Sequence, residues 1–120
     1  MPYIEVITNT KLEEESCDKL NATFGKLIEI IPGKTEKWLM IHIKDRAKLC
    51  FAGDCKAPTA IVTLKAFGHE LEKEYYDNLT EAITKNCVEI LGVSPERFYV
   101  EYESIRHWGW NGCNFRLKPT

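Results

Sequence analysis

The feature that most constrains this 120-residue chain is a strand–helix–strand pattern that occurs twice. In the first copy, the β-branched-rich run 3–8 reads as a strand. A segment from about Glu13 follows, with Cys17, Leu20, Phe24, Leu27 and Ile31 stepping by three and four, the period of a helix face. Glu13, Glu14 and Glu15 occupy its first turn, where the helix dipole favours acids. Pro32-Gly33 ends it, and the run 38–43 reads as a second strand. The second copy repeats the order: a strand over 59–64, a helix from about Glu70 to Leu91, Gly92 at its end, and an alternating strand over 98–102. Tyr76, Leu79, Ile83, Cys87 and Ile90 share one face of that helix. Gly33 and Gly92 are 59 residues apart, and the strands after them start at matching offsets.

Two tandem βαβ units predict an α+β fold over a single domain, 1–120, with pseudo-repeats of about 1–57 and 58–115. Right-handed crossovers make the strands of each unit parallel and place both helices on one face of a four-stranded sheet. The 59–64 strand has too few polar positions for a wet face. The uncovered face is therefore expected to be buried in a closed cyclic oligomer, of two or three chains as far as strand physics goes.

Composition excludes some roles. A net charge of −2, with Lys and Glu interspersed, provides no basic stripe for nucleic acid. No apolar run is long enough to cross a membrane, and Met1–Glu5 has neither the basic nor the apolar region of a secretory signal, which points to the cytoplasm. Five irregularly spaced cysteines, Cys17, Cys50, Cys55, Cys87 and Cys113, read as reduced thiols. Cys50 and Cys55 have four residues between them and no His at zinc-site spacing, so no metal is expected.

Several short motifs then occur in a telling order: Met1-Pro2 running into a strand that ends Thr8-Asn9, Gly33-Lys34, the strand with His42, and Phe51-Ala52-Gly53. Phe67-Gly68, the run 93–100, and the run from Trp108 to Phe115 complete it. In order and spacing the chain resembles the macrophage migration inhibitory factor and D-dopachrome tautomerase family over nearly its whole length. The resemblance implies a homotrimer whose sheets wrap into a central barrel, with a site at each subunit interface. It implies cofactor-independent keto–enol tautomerase activity on phenylpyruvate-like or dopachrome-like compounds. In some members it also implies secretion without a signal peptide and a cytokine-like, receptor-binding role.

The resemblance gives Pro2 the part of catalytic base. Met1 is readily removed before a small residue, leaving a secondary amine; taken alone, Met1-Pro2 is only a chain start. A base that removes a proton beside a carbonyl works best with a pKa near ambient pH, so the site must hold the proline amine down, by burial and a nearby cation. By resemblance that cation is Lys34, facing the substrate carboxylate or enolate oxygen. Without the resemblance, a Lys after a helix-ending Gly is a solvated dipole partner, and Lys37 is its decoy.

Phe67 falls where relatives use a backbone N–H to contact ligand, and its ring is either pocket wall or core. Trp38 and Trp108 fall at the pocket mouth, more aromatic than expected there, which suggests an aryl-bearing substrate or a partly closed entrance. Trp110 and Phe115 read as core or interface. Tyr99 and Glu101 lie two apart on one strand and point the same way. By resemblance they enter the neighbouring subunit's pocket, with Tyr99 donating a hydrogen bond to substrate. Glu101 stands where mammalian relatives have an amide; a carboxylate there opposes Lys34 by favouring the ammonium of Pro2. The Cys-x-x-Cys of the mammalian cytokine would fall at 59–62, where this chain has no cysteine, so that thiol chemistry is not expected. Two functions remain in view: a tautomerase, or a receptor-binding homologue with a vestigial pocket.

Overall fold

Alternation sets the first strand. In β1 (Pro2–Thr8), Pro2, Ile4, Val6 and Thr8 are buried and the residues between them are not. A computed structural model describes residues 1–119 and places β1 in a four-stranded sheet of order β2-β1-β3-β4. The partners are β2 (Met40–Lys44), β3 (Ala60–Phe67) and β4 (Phe98–Ile105). β1 runs parallel to β2, β3 parallel to β4, and β1 antiparallel to β3, so two βαβ units meet at the centre.

The helices α1 (Glu14–Leu27) and α2 (Lys73–Leu91) cover one face. Leu20, Phe24, Ile28 and Ile31 from the first unit meet Leu79, Ile83, Cys87 and Leu91 from the second, over Ile4, Val6, Val62 and Leu64. Burial pushes the Cys87 thiol up to about 12, which leaves it an inert core group. The chain turns out of each unit's helical segment through a left-handed glycine, Gly33 (φ 78°) and Gly92 (φ 67°), a conformation that costs glycine little.

Four expectations need correction. The 38–43 strand starts later, at Met40, because Glu36–Trp38 winds into a 3₁₀ turn. The α2 helix starts at Lys73 rather than Glu70. The uncovered face is not apolar. Register lines up Met40, Tyr3, Lys65 and Glu103, then His42, Glu5, Thr63 and Glu101, then Lys44, Ile7, Ile61 and Tyr99. The 59–64 run looked apolar because Ala60, Val62 and Leu64, three of its four apolar side chains, turn toward the helices; Thr63 and the following Lys65 point away. Glu5 accepts the Tyr3 hydroxyl and contacts His42, and the Tyr3 bond in particular holds its carboxyl below the usual range.

The cysteines are the fourth correction. Cys50 and Cys55 are joined in a disulfide, and Cys17, Cys87 and Cys113 are free. The chain between them doubles back, with Phe51 and Asp54 exchanging backbone hydrogen bonds, and that reversal brings the two thiols together. Sequence spacing alone does not show such a turn.

Candidate active site

The amino end of β1 carries the site. Pro2 is buried there, its Cα opposite Ala66 of β3. It lines a cavity of about 530 Å³ together with Tyr3, Trp38, Met40, Trp108 and Trp110. Each wall has a separate origin. Tyr3 and Met40 are a cross-strand pair of β1 and β2. Trp38 ends the 3₁₀ turn, whose Glu36 carboxylate lies where a side chain on Gly25 of α1 would be; the glycine lets the turn close against the helix. Trp108 and Trp110 come from a hairpin, β5 (His107–Trp110) and β6 (Cys113–Arg116), turned by Asn111-Gly112 with both φ positive. Trp38 and Trp110 meet edge to face, with centroids 5.0 Å apart, a favourable aromatic geometry.

Lys34 and Phe67 sit beside this cavity and line an adjoining one of about 260 Å³, between the sheet and α2. The Lys34 ammonium donates to the Phe67 carbonyl at 2.7 Å. The Phe67 N–H donates to the Met1 carbonyl at 3.1 Å. Met1 thus links the two spaces: it lines the larger cavity, and its amine feels Lys34. Burial, then the charge and hydrogen bonding of Lys34, push that amine down from 8.0 to about 6.

Tyr99 and Glu101 are not brought to Pro2 within one chain. They point the same way from β4, but Tyr99 pairs with Ile61, itself opposite Ile7 near the far end of β1. Tyr99 is 60% exposed and packs edge-on against Phe51 at 5.4 Å. Glu101 accepts the Thr63 hydroxyl at 2.7 Å. Trp38 and Trp108 line the cavity beside Pro2. Trp110, expected in the core or an interface, is not core: it is 46% exposed and belongs to that cavity. Phe115, 38% exposed, pairs with Trp108 across the hairpin and is not core either.

Tyr3, Met40, Lys65 and Trp110 were missed as cavity residues, and Lys37 was set aside as a decoy though it lines the cavity too. The Asn-Gly pair between alternating aromatics was an available hairpin signal for Trp110. Lys65 and Met40 carry no such signal, because only strand register sets them beside Tyr3. Among the described residues, no group of three or more His, Cys, Asp or Glu is arranged to hold a metal ion. No described helix is long and apolar enough to cross a membrane.

Comparison with known proteins agrees with this architecture. A family model described as macrophage migration inhibitory factor (MIF) matches residues 1–116. A macrophage migration inhibitory factor homolog of Trichuris trichiura is 30% identical, over 96% of this chain and all of the relative. The crystal structure of Leishmania major MIF2 superposes with a TM-score of 0.86 at 30% identity, covering 96% of this chain and 97% of that one. A macrophage migration inhibitory factor homologue from Prochlorococcus marinus gives 0.83 at 26% identity, covering 94% and 98%.

Proposed function

Because the chain belongs to the macrophage migration inhibitory factor family, we propose that it is a cofactor-independent keto–enol tautomerase with Pro2 as general base. One observation supports the reading: the Met1 amine, one residue before Pro2, is held down to about 6 by burial and Lys34, and an amine on Pro2 would meet the same two influences. Such an amine is largely neutral at pH 7 and can accept a proton. The substrates are phenylpyruvate-like or dopachrome-like compounds, whose ring the tryptophans would flank.

Removal of Met1 makes the Pro2 nitrogen a secondary amine and frees the Phe67 N–H from the Met1 carbonyl. The amine then takes a proton from the carbon beside the substrate carbonyl. The C–H electron pair becomes the new C=C bond, and the carbonyl pair moves onto oxygen. Lys34 and the Phe67 N–H oppose the charge that develops there. Return of the proton to that oxygen completes the enol.

The full site in this reading needs a homotrimer, its sheets forming a central barrel and Tyr99 and Glu101 entering from a neighbouring subunit. Their distance from Pro2 within one chain supports that arrangement. Tyr99 donates to substrate, while Glu101 raises the amine pKa against Lys34 and moderates the rate.

The test is phenylpyruvate enolisation by protein whose intact mass shows Met1 removed, with Pro2→Gly alongside. Pro2→Gly is expected to lose about a hundredfold or more in kcat/KM; equal rates would remove Pro2 from the role of base. The charged Glu101 and the crowded tryptophan mouth favour a second reading, a receptor-binding homologue with a vestigial pocket. That reading expects receptor binding unaffected by Pro2→Gly and negligible wild-type turnover.

A further inference from the structure

Within one chain, the charged side chains on the wall of the Pro2 cavity are all of one sign. Lys37 and Lys65 line it, and no Asp or Glu does. They come from different elements: Lys37 from the 3₁₀ turn and Lys65 from β3, where its Cα pairs with that of Tyr3. Neither is needed for the chemistry proposed at Pro2, for which Lys34 on the other side of Met1 is the cation.

Lys37 is not committed to a carboxylate, and Lys65 is held only by an exposed ion pair. Among the described residues, no carboxylate lies within salt-bridge distance of Lys37, whose ammonium rests 5.1 Å from the Trp38 ring centroid. Lys65 faces Glu103 at 3.8 Å, with both side chains about half exposed, a contact that water and salt weaken and that an incoming anion can replace. On the same face Glu5 also feels the charge of Lys65, and Glu101 accepts the Thr63 hydroxyl while keeping its own charge. A neutral aryl group would use the tryptophans and leave Lys37 without an anionic partner and Lys65 with Glu103 alone. An anionic group on the far side of the ring would use all of them, since charge-assisted contacts are the stronger kind.

We propose that Lys37 and Lys65 form a second anion subsite in this cavity, and that the substrate is an aryl 2-oxo acid bearing a further anionic group on its ring. The substrate assignment rests on the tautomerase reading; the subsite itself does not. Lys34 takes the end that reacts, the tryptophans flank the ring, and Lys37 and Lys65 receive the distal charge.

The experiment compares phenylpyruvate with 4-carboxyphenylpyruvate on Met1-free protein, in wild type, Lys37→Gln/Lys65→Gln and Lys37→Arg/Lys65→Arg. Wild type is expected to favour the dicarboxylate about five- to tenfold in kcat/KM, mostly through KM, the worth of a partly exposed charge pair. The preference should shrink in 0.5 M salt, at which the Debye length falls to roughly 4 Å. The Gln variant should bring the ratio to about one, and the Arg variant should keep it. A wild-type ratio near one, or a ratio unchanged in the Gln variant, overturns the subsite. If neither compound is turned over, the tautomerase reading fails on its own. Calorimetric binding of 4-carboxycinnamate against cinnamate then decides the subsite: tighter binding of the dicarboxylate, lost in the Gln variant, upholds it, and equal binding overturns it.

Discussion

After each helical segment the chain passes through a left-handed glycine, Gly33 or Gly92, then a 3₁₀ turn three residues on, Glu36–Trp38 or Pro95–Arg97, and then an edge strand. Equivalent positions have taken opposite tasks. After Gly92 comes Val93, buried in the core; after Gly33 comes Lys34, a cation beside the chain's amino end. The second turn closes with Arg97, whose side chain is only 17% exposed and donates to the carbonyls of Phe51, Asp54, Ala57 and Pro58. The first closes with Trp38, 42% exposed on the cavity wall. One copy of the turn fastens a loop; the other leaves its last side chain half exposed on a cavity wall. The lesson is that backbone pseudo-symmetry predicts where a side chain sits and says nothing about whether it is structural.

The sharpest way to break this comparison is Arg97→Ala. It strips four carbonyls of a charged donor and removes the cation over Phe51, so it should cost about 3 kcal/mol in denaturant unfolding. A loss below about 1 kcal/mol would show that the loop does not depend on the clamp. Replacing both Cys50 and Cys55 with Ser opens the short loop held by that clamp; the chain-entropy relation gives a loss of about 2 kcal/mol. Reductant should reproduce the loss in wild type and leave the double variant unchanged.

On the first turn, Trp38→Ala should cost only about 1 kcal/mol of stability, mainly the lost edge-to-face contact with Trp110. Its larger effect should be in KM for an aryl substrate, raised roughly tenfold, as expected for loss of one aromatic wall. A stability loss matching that of Arg97→Ala would erase the distinction between the turns.

The smallest expected effect is one of pH. In protein that keeps Met1, the amine titrates near 6 when folded and near 8.0 when unfolded. Between those values the unfolded chain holds a proton that the folded chain refuses, so stability rises with pH across the window and falls on acidification from 8 toward 6. Lys34→Met should raise the folded midpoint and flatten that rise without abolishing it, because burial is the larger cause. The rate of selective amine acylation against pH reads the midpoint; a wild-type midpoint near 8 would remove Lys34 from the amine's surroundings.

The sequence by itself determined the two βαβ units, since Leu20, Phe24, Leu79 and Ile83 recur at helix period and the glycines can take the left-handed turns that follow. It also marked Pro2, Lys34, Trp38 and Trp108 as candidates, through a family resemblance that rests on the order and spacing of short motifs along the chain. Only the tertiary structure decided that Lys65 and Met40 flank Tyr3, that Trp110 joins the cavity, that Cys50 meets Cys55, and that the open sheet face is charged. Periodicity is a property of neighbours along the chain and is written in the sequence. Register, loop reversal and the direction in which a hairpin folds depend on which distant segments pack together, and that is settled by the assembled core.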